Sequence, residues 1–227
     1  MTLSIYSCGN KPETAQEEPK KTEDTTAAKP PAAPVFIPFQ VMVIYQTVAD
    51  YPKWRSAYDA HDSVRKAAGL AELGVERNLD NANTVLVAHR VSDITKAKDF
   101  SSSPELKKAM EKAGVVGKPT IYFFQVLRMD SSKVDSKERI IVTHRVKDFD
   151  AWLKVFDSEG KAARAAQGMV DRVLARGVDD PNVVHVVFSV TDMAKAKASM
   201  FSEDKKKLMM SAGVEGKPDI GFYKNED

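Results

Sequence analysis

The chain of 227 residues contains a single cysteine, Cys8, so no intrachain disulfide can form and no zinc-finger spacing exists. It has only four histidines. No His-x-His, His-Glu-x-x-His, ordered Ser-His-Asp or paired-carboxylate motif is present, so no standard hydrolytic or metal site is written in it. Neither sign of charge dominates: 34 basic residues against 32 acidic ones leave a net charge of +2. That balance predicts no nucleic-acid partner and no electrostatic attraction to a membrane surface. No stretch is apolar enough for a transmembrane helix. The two Gly-Val-x-Gly-Lys-Pro segments, from Gly114 and from Gly213, are too short for a phosphate-binding loop and read as a helix stop followed by a strand start. No cofactor and no metal are expected.

The first 34 residues differ from the rest. Ile5-Tyr6-Ser7-Cys8 resembles a bacterial lipobox, with Cys8 as the lipidated residue, although the basic n-region and long apolar core of a signal peptide are missing. Residues 1–8 are therefore expected to be a truncated lipoprotein signal, the alternative being a free thiol in a tail. Residues 9–34 are rich in Pro, Glu, Lys, Thr and Ala and hold almost no large apolar side chain, which predicts a disordered tether. The membrane would then be met only through a lipid anchor, placing the protein at a bacterial cell envelope. Without processing of Cys8 it would be cytoplasmic.

Beyond residue 35 one phrase occurs four times: an apolar run, Val-x-Asp, then helix-like sequence. The aspartates are Asp50, Asp93, Asp148 and Asp192, each expected to cap the helix that follows. The first and third copies match as Asp50-Tyr-Pro-Lys-Trp54 and Asp148-Phe-Asp-Ala-Trp152, and the second and fourth continue alike. The offset is 98 residues up to the end of the first helix and 99 afterwards. Residues 35–128 and 139–227 thus read as one β-α-β-β-α-β unit written twice, joined by a polar link. Strands are expected over 40–48, 70–79, 84–91 and 120–127, and helices over 50–69 and 93–113, the latter interrupted at Ser101-Ser-Ser-Pro104. The tryptophans read as core anchors, and the run Lys205-Lys206-Lys207 as a solvated helix face.

The phrases Asp-aromatic-x-x-Trp-x-x-x-aromatic-Asp (Asp50 to Asp59, Asp148 to Asp157) and Ala-Gly-Val-x-Gly-Lys-Pro (Ala113 to Pro119, Ala212 to Pro218), with the element order, resemble the dimeric α/β-barrel superfamily that includes antibiotic-biosynthesis-monooxygenase-like proteins. The resemblance implies an α+β fold in which two tandem ferredoxin-like repeats form one barrel within a single chain, and hence a monomer with an intrachain pseudo-dimer. It also implies that monooxygenation without metal or flavin is within the family's reach. The family's catalytic residues do not map by motif onto this sequence.

Strand alternation places Met42, Ile44, Val85, Val87, Ile140, Val142, Val184 and Val186 on a helix-facing side. The other side, mixed in character, would line the interior or its mouth. Candidate ligand-binding residues are Tyr45, Arg90, His144, Arg145, His185 and His89. The repeated phrase His-Arg-Val-x-Asp suggests a base or donor with a cation beside it, suited to an anionic or carbonyl-bearing small molecule. Satisfied structural histidines are the competing explanation. The primary expectation is an envelope-tethered small-molecule-binding or scaffold protein; the alternative is a cofactor-independent monooxygenase or cyclase/isomerase acting on a small aromatic or polyketide-like substrate.

Overall fold

The computed structural model describes residues 36–227. Cys8 and the stretch 9–34, with the lipidation and tether expected there, lie outside the described residues.

The chain begins with β1 (Phe39–Val48), α1 (Tyr51–Ala60), α2 (Asp62–Ala67), β2 (Leu70–Asn78) and β3 (Thr84–Val91). It continues through α3 (Ile94–Ser102), α4 (Pro104–Lys112) and β4 (Val115–Met129). The same sequence of elements then recurs: β5 (Glu138–Val146), α5 (Phe149–Glu159), α6 (Lys161–Ala166), β6 (Met169–Gly177) and β7 (Val183–Val190), then α7 (Met193–Met200), α8 (Glu203–Ser211) and β8 (Val214–Asn225).

The four aspartates do what their position predicts. Asp50, Asp93, Asp148 and Asp192 each accept a backbone N–H from the first turn of the following helix, an interaction worth about 1 kcal/mol per cap. Ser103 and Ser202 cap α4 and α8 in the same way, through the amides of Leu106 and Lys205. Ser103 therefore accounts for the interruption read at Ser101-Ser-Ser-Pro104. Two boundaries differ from expectation. The first helix is broken at His61 into α1 and α2. The fourth strand starts at Val115 rather than Thr120, because Val115 and Val116 pair with the end of β1 beyond a register shift. Gly168 stops α6 with φ of +81°, where a Cβ would lie 2.5 Å from the Asp192 carbonyl oxygen, so only glycine fits this crossing.

Among the described residues all strand pairs are antiparallel, and the order β1-β3-β2-β8-β5-β7-β6-β4 returns to β1, leaving no free edge. Each half contributes four neighbouring strands in the same relative order, β4-β1-β3-β2 and β8-β5-β7-β6. The seams between halves are shorter than the pairings within them. β2 meets β8 through Glu76, Arg77 and Asn78, and β4 meets β6 from Phe124 to Met129.

Packing falls into three layers. Met42, Ile44, Val85 and Val87 meet Trp54 under the first-half helices, and Ile140, Val142, Val184 and Val186 meet Trp152 under those of the second. The third cluster lies inside the closed sheet and draws on both halves: Val41, Val43, Leu86, Phe124, Ile141 and Tyr223. Tyr45 Oη lies 3.0 Å from Thr143 Oγ1, which lies 2.9 Å from His185 Nδ1, so a buried hydrogen-bond chain crosses from one half to the other. Phe124, fully buried, stacks on His185 at 4.7 Å between centroids. Phe124→Ala should cost about 3–5 kcal/mol, as for other buried aromatic truncations, and should loosen both halves together. Denaturant unfolding followed separately at Trp54 and Trp152 would show coincident transitions shifted to lower denaturant; separate midpoints would refute a shared core.

Candidate functional site

The six residues singled out from sequence do not form one site. Tyr45 and His185 sit inside the closed sheet in the chain with Thr143. Arg90 is exposed, with its guanidinium 3.8 Å from the Phe39 ring centroid. Arg145 is exposed too, in ion pairs with Asp180 and, at 3.2 Å, with Glu215. His89 and His144 lie on the opposite, helix-covered face, each in its own half. The reason is the pleat: successive side chains of a strand point to opposite faces. His89 and Arg90, or His144 and Arg145, therefore cannot serve one ligand side by side. The interior expected to hold that ligand is filled by the third hydrophobic cluster.

Two pockets lie instead between the helices and the outer face of the sheet, at equivalent places in the two halves. The free space in the second-half pocket is about 60 Å³, room for a few water-sized groups, so a larger molecule enters only as the flexible side chains lining it shift. Its floor comes from β5 and β7 through Val142, His144 and Phe188, and its roof from α5 and α8 through Trp152, Phe156 and Lys205. His144 is 8% exposed, and neither ring nitrogen has a hydrogen-bond partner among the described residues. Its ring stands edge-on to Trp152 at 5.7 Å, and Trp152 stacks on Phe156 at 5.1 Å.

Behind these rings runs a buried ion network. Arg164 donates from Nε (2.7 Å) and Nη2 (2.6 Å) to both carboxylate oxygens of Asp171, and from Nη1 to the Phe156 carbonyl at 2.7 Å. Its guanidinium lies 3.9 Å from the Phe156 centroid. Glu159 receives Arg164 at 3.4 Å and Lys205.

The first-half pocket, with about 70 Å³ of free space, keeps the scaffold and changes the chemistry. Gln46 stands where the second half has His144, and His89 where it has Phe188. Tyr58 replaces Phe156, His61 replaces Glu159 and Leu106 replaces Lys205. Here Tyr58 Oη and His89 Nε2 are 2.9 Å apart, so this histidine is engaged within the protein through one nitrogen, while its Nδ1 has no partner among the described residues. Arg65 covers the Tyr58 ring at 3.7 Å. Among the described residues no group of three or more His, Cys, Asp or Glu side chains is placed to hold a metal ion.

Sequence reasoning missed Glu159, Arg164 and Lys205. The basic run was read as a solvated face, yet the Lys205 side chain is only 8% exposed, against 69% for Lys206 and 76% for Lys207. A signal was available: Lys205 aligns with Leu106, an apolar residue at the core-facing third position of the equivalent helix.

By sequence the chain matches no family model and no curated protein. By structure it is similar to several solved proteins. An anthrone oxidase-like protein superposes with a TM-score of 0.60 at 13% identity, covering 83% of this chain and 92% of its own. A protein from Fusobacterium nucleatum, provisionally assigned as a monooxygenase, gives 0.54 at 11% identity over 83% of this chain and 93% of its own. One from Lactobacillus acidophilus, with the same provisional assignment, gives 0.52 at 14% identity over 83% and 95%. What is shared is the fold. At these identities the similarity shows the α+β fold expected from the element order and carries neither a superfamily nor an activity across.

Burial holds the His89, His144 and His185 imidazoles near a pKa of about 4, below the usual 6.5, with Arg65 adding to the effect at His89. These rings are neutral in the folded protein at neutral pH. As pH falls from about 6.5 towards 4, the unfolded chain takes up a proton at each while the folded chain does not, so stability drops across that window. Glu76, pushed up to about 7 by burial, works in the other direction: its carboxyl destabilises the fold increasingly as pH rises from about 4.5 through 7. Three histidines outweigh one glutamate, so the protein should lose stability between pH 6.5 and 5. His144→Phe should flatten that slope by up to about 1.4 kcal/mol per pH unit, one proton's worth. Urea unfolding at a series of pH values measures both, and a flat profile would contradict the burial described.

Proposed function

We propose that the second-half pocket is the active site of a cofactor-independent monooxygenase acting on a small aromatic or polyketide-like substrate. The reading rests on His144: a neutral imidazole, buried, with both nitrogens unpartnered, on the floor of a pocket walled by Trp152 and Phe156. A buried polar group without a partner costs about 1–3 kcal/mol, and such a group in a concave apolar site marks a functional candidate. The fold similarity to an anthrone oxidase-like protein and to two provisionally assigned monooxygenases supports the reaction class.

The chemistry asked of the protein is limited. His144 accepts a proton from an acidic C–H or O–H of the substrate; the low pKa keeps the ring neutral beforehand, and the growing anion beside it raises its proton affinity as transfer proceeds. The resulting carbanion or phenolate passes one electron to dioxygen, the two radicals combine into a peroxide anion, and the His144 imidazolium returns its proton to give the hydroperoxide. Loss of water from the peroxide leaves a carbonyl, so a methylene and dioxygen become a carbonyl and water with atoms and electrons balanced. The stacked Trp152 and Phe156 position the substrate, and Met200 and Met209, flexible side chains at the pocket wall, can yield to admit it.

The proposal includes a single chain holding two tandem copies of one unit and therefore working as a monomer. It also includes attachment to a bacterial envelope through Cys8, supported by the lipobox-like segment and the composition of residues 9–34. Oxygen uptake with a panel of phenols and tricyclic aromatic ketones, in the presence of a chelator, tests the activity. His144→Phe and His144→Gln should each lower the rate by about 100-fold or more, the usual worth of a general base, with the fold retained at pH 7.5. Absence of uptake on every substrate, or an unchanged rate in both variants, would refute the reading.

A further inference from the structure

The second half differs from the first by a buried lysine. Lys205 occupies the third position of α8, where Leu106 occupies the same place in α4, and both follow a serine cap. A cation there opposes the helix dipole, whose positive end is the N-terminus. Its burial also costs side-chain entropy and desolvation. The accompanying change from His61 to Glu159 supplies the counter-charge, yet an apolar residue at this place serves the first half without that expense. Glu159 is the one hydrogen-bond and ion-pair partner of Lys205 Nζ among the described residues. An ammonium has three N–H donors, and Lys205 lines the pocket that holds His144.

The network around it is balanced: Arg164 and Lys205 against Asp171 and Glu159. A permanently anionic ligand would bring an uncompensated charge into this site, whereas a neutral weak acid would not. We propose that Lys205 selects substrates carrying a phenolic or enolic hydroxyl, by donating a hydrogen bond to the oxygen that becomes anionic when His144 takes the proton. No other covalent change is involved: the O–H bond breaks, an N–H bond forms on His144, and the negative charge stays on oxygen beside the ammonium. The inference depends on the second-half pocket of the proposed function and narrows its substrate class. The first half, with Leu106 in place of Lys205 and its histidine held by Tyr58, lacks this discrimination.

The probe is 4-nitrophenol, whose absorbance reports its ionisation, titrated with the full chain across pH and compared with nitrobenzene, which has no proton to lose. Bound to the native protein, 4-nitrophenol should ionise at a pH at least about one unit lower than when bound to Lys205→Met, a tenfold change in acid constant. Lys205→Arg should keep most of the shift. Glu159→Gln, which releases the ammonium from its counter-ion, should deepen it, an opposite effect that a merely structural salt bridge would not produce. Lys205→Leu copies the first half and provides a second variant should Lys205→Met misfold. Nitrobenzene should bind all variants alike. Failure of 4-nitrophenol to bind, or equal ionisation in the native and Lys205→Met or Lys205→Leu proteins, overturns the inference. Oxygen takes no part in the measurement, so a Lys205-dependent shift without oxygen uptake on any substrate would sustain this inference while removing the oxygenase reading.

Discussion

A four-stranded sheet with helices on one side has a second side that must be covered, and everything else in this structure follows from how it is covered. The bare faces of the two halves meet each other, burying Val41, Val43, Leu86, Phe124 and Ile141 in one shared cluster. The seams contribute few backbone hydrogen bonds, especially between β2 and β8, so apolar contact rather than strand pairing carries the association. The chain from Tyr45 through Thr143 to His185 adds specificity, because its three members come from both halves and only one mutual register satisfies them.

That requirement moves the ligand site outward. With the interior filled, the cavities beside His89 and His144 lie on the other side of each sheet, beneath the helices. A half that had kept its bare face open for ligand would have lost the contact that holds it to its twin.

The two halves share an element order and carry different polar interiors. In the first half Tyr58 Oη pairs with His89 Nε2 and Arg65 lies across the ring, while His89 Nδ1, Gln46 Oε1 and Arg65 Nε have no partner among the described residues. The second half instead leaves a histidine without a partner and buries a lysine–glutamate pair next to it. Buried ion pairs rarely add net stability, and an orphaned imidazole subtracts from it. Both costs fall in the same pocket, where a function would explain them and packing alone does not.

The repeated Val-x-Asp phrase, the matched tryptophans and the 98–99 residue offset were sufficient to determine the element order, the helix caps and which strand face meets the helices, because these depend on local chain geometry and on periodicity. The early start of β4 was not legible, since it arises from pairing with the distant end of β1; the break at His61 was not legible either. Nor was the site. Adjacent His-Arg pairs suggested cooperation along the strand, but the pleat sends such neighbours to opposite faces, and only the closed sheet decides which of those faces is a packed interior. The burial of Lys205 among exposed lysines and the lack of any partner for His144 are likewise properties of assembled layers, set by what packs against a side chain and invisible in its neighbours along the chain.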